Sequence, residues 1–112
     1  MSEELDKAVA ELLDNYSFCM SICALPGEDI VKRIEVRDPE YLARTKVMDD
    51  PPGNVIDLWA GFCVWSVTSL QKKYEPIWGD VARAYFDSDA RKQAPPQPRL
   101  AELIWTRIEE GF

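Results

Sequence analysis

Apolar side chains recur along the first quarter of the chain with the spacing of a helix. Steps of three or four residues separate Leu5, Val9, Leu12, Tyr16, Cys19 and Cys23. Acidic residues occupy the first turn, where the helix dipole favours negative charge, and Pro26-Gly27 ends the pattern. We therefore predict an amphipathic helix over residues 3–25, with Ser2 as its N-cap.

The segment over residues 28–36 leaves two interpretations open. Ile30, Val31 and Ile34 have the spacing of a short helix, whereas the β-branched side chains also permit a strand. We favour the helix, because no partner strand is evident elsewhere in the chain.

The start of a further helix is marked by Asp38-Pro39-Glu40. Aspartate is a preferred N-cap residue, and proline is favoured at the first helical position because its missing N–H would have no helical partner there. This helix is predicted to run to about Met48 and to be followed by a loop at residues 49–53.

Residues 55–74 predict the most apolar helix of the chain. At the angular step of an α-helix, apolar side chains cover most of its circumference, among them Trp59, Phe62, Cys63 and Val67. A helix of this kind is packed by several neighbours, so we expect it at the centre of the fold.

The C-terminal third predicts two helices joined by a loop. Pro76 can begin the first of them, and the polar, proline-rich residues 87–98 predict an exposed loop. The last helix is predicted over residues 99–110. Its apolar stripe comprises Leu100, Leu103, Ile104 and Ile108.

Together these segments predict an all-α fold, a compact bundle of five or six helices with a central apolar helix at about residues 55–74. The chain has 112 residues, of which 46% are hydrophobic. This size and composition are typical of a single domain over residues 1–112. No apolar run has the length that a membrane-spanning helix requires.

Charge and composition narrow the possible functions. The net charge is −7 and the chain contains no histidine. The lack of histidine excludes a histidine-based triad and imidazole metal ligands, and the negative charge argues against direct binding of nucleic acid. Twelve acidic and six basic residues precede Val55. This acidic half is predicted either to keep the protein soluble or to meet a basic partner.

Two local patterns suggest chemistry, and each has a simpler explanation. Ser69 and Lys72 match the S-x-x-K pattern of serine–lysine enzymes, but the companion motifs are missing and those enzymes are far longer. Cys19 and Cys23 share the apolar side of the first helix, where packing is the common role of a free cysteine. With Cys63 they give an odd number of thiols, which favours a reducing compartment and a cytoplasmic protein.

Seven residues are candidates for binding another protein. The acidic ones, on the first helix, are Glu3, Glu4, Glu11 and Asp14. Trp65 lies at the edge of the apolar arc of its helix. Trp105 falls off the apolar stripe of the last helix while Arg107 falls inside it, and a tryptophan beside an arginine is typical of a binding hot spot. The alternative is a last helix covered on two sides, with Arg107 extending to the surface.

These observations predict a non-catalytic, acidic protein-binding module that acts on a larger, locally basic protein. Its composition resembles that of small acidic inhibitors of nucleic-acid-processing proteins, such as immunity and phage anti-defence proteins. Two alternatives stay open, a small subunit or assembly factor of a permanent complex and a thiol-dependent enzyme or redox protein that uses Cys63. A homodimer is also possible. No catalytic residue, cofactor or metal site is predicted, and no partner is expected in a membrane.

Overall fold

The computed structural model describes residues 3–45, 55–93, 95 and 98–110. The helices in chain order are α1 (Glu3–Ile22), α2 (Gly27–Arg37), α3 (Pro39–Thr45), α4 (Val55–Lys73), α5 (Trp78–Asp87), α6 (Asp89–Lys92) and α7 (Pro98–Glu110). A 3-10 turn (Glu75–Ile77) joins α4 to α5. These ranges contain no strand, so the predicted all-α bundle is confirmed and residues 28–36 are helical. The predicted N-cap Ser2, the helix end near Met48 and the loop at residues 49–53 lie outside the described residues.

Helix α4 lies at the centre of the bundle, as its apolar circumference predicts. It packs against α1, α2 and α7. Between positions 59 and 73 its exposed side chains are Val64, Ser69, Lys72 and Lys73. The Trp59 indole is fully buried and donates from Nε1 to the main-chain oxygen of Cys19, 2.9 Å away. This hydrogen bond satisfies the one polar atom of the largest core side chain and joins α4 to α1.

Helix α1 buries a stripe that is rotated from the predicted one. The most buried positions of this stripe are Ala8, Leu12, Asn15, Cys19 and Ile22. Leu5, Val9, Tyr16 and Cys23 of the predicted stripe are only half-buried. The rotation follows from packing, because α1 contacts both α4 and α5 and turns the line between them inward.

None of the helices in the described ranges has both the length and the apolar character needed to cross a membrane.

The predicted exposed loop over residues 87–98 is wrong in its first half, which contains α6. The hydroxyl oxygen of Ser88 accepts a hydrogen bond from the main-chain N–H of Arg91 at 3.2 Å and so caps this short helix. The guanidinium of Arg91 then lies 4.1 Å from the ring centre of Trp105. The polar sequence of this segment gave no sign that Arg91 faces inward, where its charge lies against an aromatic ring.

The stripe predicted for α7 is wrong at Leu103. Its side chain is 45% exposed, whereas Ala101, Ile104 and Ile108 are buried. Ala101, one turn before Ile104, therefore faces the bundle, whereas Leu103 faces outward. The side chain of Leu100 is not among those described.

Candidate functional site

A cleft of about 280 Å³ opens between α1, the junction of α2 with α3, and α4. We name it the α1–α4 cleft. Helix α1 contributes Glu11, Asp14 and Asn15, and the junction contributes Arg37 and Asp38. Helix α4 contributes the remaining lining side chains, which are Phe62, Ser66, Ser69, Leu70 and Lys73. The cleft thus joins acidic residues of the first helix to polar residues of the central one.

The floor of the cleft contains a buried polar pair. Asn15 is only 5% exposed, and its Nδ2 donates to the hydroxyl oxygen of Ser66 at 2.9 Å. The Ser66 hydroxyl in turn donates to the main-chain oxygen of Cys63 at 3.1 Å. An amide on the buried stripe of α1 is costly unless it is hydrogen-bonded, and α4 supplies the partner.

Two ion pairs stand at the rim of the cleft. Arg37 of α2 donates to the carboxylate of Asp14 at 2.5 Å, and Lys73 of α4 donates to Glu11 at 3.0 Å. Partial burial alone would raise the pKa of Glu11, but the neighbouring Tyr74 hydroxyl and the Lys73 ammonium outweigh it and lower that pKa. The hydrogen bond between Lys73 and Glu11 also raises the pKa of Lys73. Both pairs tie α1 to a neighbouring helix across the cleft.

Asp38 connects the cleft to Trp65. Its Oδ1 accepts from the main-chain N–H of Tyr41 at 3.3 Å, which confirms Asp38 as the cap of α3. Its Oδ2 accepts from the Trp65 indole at 2.9 Å. Beyond Trp65 a second cavity of about 340 Å³ lies between Glu40 and Lys72. Trp65 is half-buried, lines this second cavity, and is joined to the α1–α4 cleft through its hydrogen bond to Asp38.

Trp105 lies away from this cleft and is packed within the bundle. Its ring stacks with Tyr16 at a centroid distance of 6.1 Å, and its Nε1 donates to the hydroxyl of Tyr85 at 3.1 Å. Arg91 covers the ring as well. These contacts account for the position of Trp105 off the stripe of α7 without a partner protein.

Arg107 is likewise held inside the fold. Its Nε donates to Thr68 Oγ1 at 3.1 Å and its guanidinium also donates to Gln71 Oε1 at 2.8 Å. Thr68 and Gln71 of α4 thus face α7, and Arg107 inside the apparent apolar stripe of α7 is their partner. Neither hydrogen bond needs a second protein.

The seven predicted binding residues are therefore divided among three places. Glu11 and Asp14 meet at the cleft, and Trp65 lies beside it. Glu3 and Glu4 are exposed in the first turn of α1, and Glu4 lies two helical turns before Glu11. Trp105 and Arg107 belong to the contacts of α7.

Sequence reasoning missed Asn15, Asp38 and Ser66 as parts of the site. A signal was present for Asn15, which is three residues after Leu12 and four before Cys19 and so lies on the buried stripe. Asp38 was predicted only as a helix cap. For Ser66 the chain offers no local signal, since its role depends on the side chain of a helix 51 residues away.

The nucleophiles of the chain have structural surroundings. Cys63 is 1% exposed, and burial together with the neighbouring Cys19 raises the pKa of its thiol far above neutrality. A buried thiol of this kind stays protonated and is a poor nucleophile. The Ser69 hydroxyl donates to the main-chain oxygen of Trp65 at 2.9 Å, so its proton is held by the backbone of its own helix. In the described ranges, no three cysteine, aspartate or glutamate side chains are grouped to hold a metal ion.

Comparison with known proteins yields no match. Neither a family model, nor a curated protein, nor a solved structure is significantly similar to this chain.

Proposed function

We propose that this protein is a non-catalytic binding module that recognises a larger, locally basic protein through the acidic side of α1. The exposure of its carboxylates carries the proposal. Glu3, Glu4 and Asp6 are exposed in the first turn, and the Asp14 side chain is 69% exposed although it pairs with Arg37. Negative charge presented along one helix attracts a basic surface over a distance and sets its orientation.

The nature of the partner follows from the same charge. Nucleic-acid-processing proteins carry basic surfaces that bind the phosphate backbone. An acidic helix is a substitute for that backbone, so an inhibitor or neutraliser of such a protein fits the composition and the geometry. Steep salt dependence is then expected, because interactions between exposed charges are largely screened beyond about 10 Å at 0.1 M salt.

The two alternatives have less support. A thiol-dependent enzyme needs an accessible thiolate, whereas Cys63 is buried and its raised pKa keeps the thiol protonated. A permanent subunit needs a large apolar patch. The large hydrophobic side chains exposed in the described part of the chain are Val36, Val64 and Leu103, and they lie on three different helices.

The experiment is capture of partners from extracts of the native host, quantified by mass spectrometry at low and high salt. The test variant is Glu3→Lys with Glu4→Lys. Its matched control is Glu28→Lys with Asp29→Lys, which makes the same charge change in the first turn of α2. The two sites are separated by the length of α1, about 30 Å.

A partner bound through α1 is expected to be lost in the test variant and at high salt, and to be retained in the control variant. Partners that survive both the first-turn reversal and high salt contradict the proposal. Loss in both variants also contradicts it, because it shows dependence on net charge and not on α1.

A further inference from the structure

We infer that the α1–α4 cleft receives an arginine side chain of the basic partner. This inference rests on the proposed function and specifies how the partner is held. The volume of about 280 Å³ corresponds to roughly nine water molecules, or to one long side chain with its nearest waters. The cleft begins at Glu11, two helical turns along α1 from the exposed Glu4, so one partner surface can reach both.

The floor of the cleft offers mainly hydrogen-bond acceptors. The hydroxyl protons of Ser66 and Ser69 are both donated to main-chain oxygens of α4, so the two hydroxyl oxygens can only accept from an incoming group. Asn15 uses Nδ2 to donate to Ser66, and its Oδ1 accepts nothing from the described part of the chain. An acceptor on a side chain that lines the cleft and is only 5% exposed favours a ligand rich in N–H groups.

The charges of the cleft favour a cation. Three carboxylates line it, Glu11, Asp14 and Asp38, against the two cations Arg37 and Lys73. Each of those cations already donates to a carboxylate at the rim, so the rim holds one guanidinium and one ammonium from its own chain. A carboxylate has about four acceptor positions and can take a second donor.

Arginine fits this arrangement better than lysine. Its guanidinium has five N–H donors in a fixed plane, which matches acceptors distributed between floor and rim, whereas an ammonium is a compact point charge. The cleft also contains the apolar side chains of Phe62 and Leu70, against which the aliphatic part of an arginine can pack.

The test is a titration of the ¹⁵N-labelled full chain with N-acetyl-arginine methylamide, followed by NMR. N-acetyl-citrulline methylamide is the control, because it has nearly the same shape and no charge. Saturable shifts are expected at the Asn15 side-chain amide and at the main-chain amides of Ser66 and Ser69. The affinity of the citrulline compound is expected to be lower by at least about tenfold, since it lacks the charge-assisted hydrogen bonds.

Two variants locate the effect. Ser69→Tyr fills the cleft from an exposed position of α4 and is expected to abolish the saturable shifts. Ser17→Tyr adds the same side chain on the exposed side of α1 and is expected to keep them. If Ser69→Tyr disturbs the fold, Asn15→Leu removes the floor acceptor at similar size and is expected to lose the same shifts.

The inference is overturned if no shifts occur at the cleft, if citrulline equals arginine, or if Ser69→Tyr responds like the wild type. Its failure is distinct from failure of the proposed function. When titration fails and first-turn reversal still releases the partner, the module binds through the exposed carboxylates of α1 and not through the cleft. When titration succeeds and first-turn reversal has no effect, the guanidinium site stands and docking through Glu3 and Glu4 is wrong.

Discussion

The Trp65 indole donates to Oδ2 of Asp38 over 2.9 Å, while Oδ1 of the same carboxylate accepts from the main-chain N–H of Tyr41 at 3.3 Å. One side chain therefore caps α3 and joins it to the central helix α4. The Tyr41 ring lies 5.9 Å from the Trp65 ring and completes the contact. The position of Trp65 at the edge of the apolar arc of its helix allows the indole N–H to reach this polar partner.

Two substitutions of Asp38 are expected to distinguish the contributions of its two hydrogen bonds to the free energy of unfolding. Asp38→Ala removes both, at about 1 kcal/mol for the cap and about 1 kcal/mol for the indole bond. Asp38→Asn keeps a cap oxygen and loses mainly the bond to Trp65, so about half of that loss is expected. Urea denaturation of the three proteins measures the difference.

The control is Glu35→Ala, at an exposed position of α2. It is expected to change stability by no more than about 0.5 kcal/mol. Equal losses for Asp38→Ala and Asp38→Asn contradict a capping role, and the absence of any loss contradicts both hydrogen bonds.

Gly61 permits the close approach of Tyr41 to α4. A Cβ at position 61 would lie 2.8 Å from the Tyr41 hydroxyl oxygen. Tyr41 is 5% exposed and has little room to move. Gly61→Ala is therefore expected to destabilise the protein by about 1–2 kcal/mol, although alanine is the better helix former. Thermal and urea unfolding measure this change.

A double-mutant cycle with Tyr41→Phe tests the cause. Removal of the hydroxyl relieves the contact, so Gly61→Ala is expected to cost much less in the Tyr41→Phe background. Gly79→Ala is the matched control, because a Cβ there meets Arg83 Nη2 only at 3.9 Å. It is expected to stabilise by about 0.5–1 kcal/mol. Additive effects of Gly61→Ala and Tyr41→Phe contradict the steric explanation.

The fold could be predicted where hydrophobic period and helix signals agree. Asp38-Pro39 marks the start of α3, and the apolar circumference of α4 indicates its central place. The stripe of α1 was predicted correctly at Leu12 and Cys19 and lay one position away from the buried one elsewhere, because periodicity does not say how many neighbours a helix has. Arg91 could not be placed, since its attraction to Trp105 depends on a chain reversal that local sequence does not specify.

The candidate site was predictable only in part. The acidic residues Glu11 and Asp14 stand out on the exposed side of a helical pattern. The cleft itself depends on which polar residue of α4 meets Asn15, and on where α2 ends, and both are properties of packing. The unusual positions of Trp105 and Arg107 on α7 are accounted for by contacts to other helices of the same chain, and periodicity on one helix does not show such contacts.

The three cysteines are expected to differ in reactivity. Cys19 and Cys63 are buried, whereas Cys23 is half-buried, with its Sγ donating to the main-chain oxygen of Met20 at 3.2 Å. Burial raises the pKa of Cys23 as well as that of Cys63. Native protein with Ellman's reagent is therefore expected to react slowly and only at Cys23, and all three thiols are expected to react in denaturant.

Cys23→Ser is the informative variant for this prediction. It is expected to leave almost no reaction in the native state. Rapid reaction of Cys63 in that variant contradicts the buried, protonated state and favours the thiol-dependent alternative. Cys63→Ser is expected to lower stability, because it places a hydroxyl in an apolar site.

The Glu11–Lys73 pair predicts a pH dependence of stability. The folded protein lowers the pKa of Glu11 below its usual 4.5, so the unfolded chain binds this proton more tightly. The stabilising contribution is complete above about pH 5 and is lost as the pH falls through the lowered value. Urea midpoints of the wild type and of Glu11→Gln are therefore expected to differ at neutral pH and to converge as the solution is acidified.

Glu75→Gln controls for the loss of one carboxylate, since Glu75 is exposed in the 3-10 turn. Its difference from the wild type is expected to be smaller at neutral pH than that of Glu11→Gln. Added salt is expected to reduce the Glu11→Gln difference, because Lys73 is exposed and the pair is screened. A difference that persists unchanged in acid and in high salt shows that Glu11 stabilises by packing, and it contradicts the ion pair as the cause.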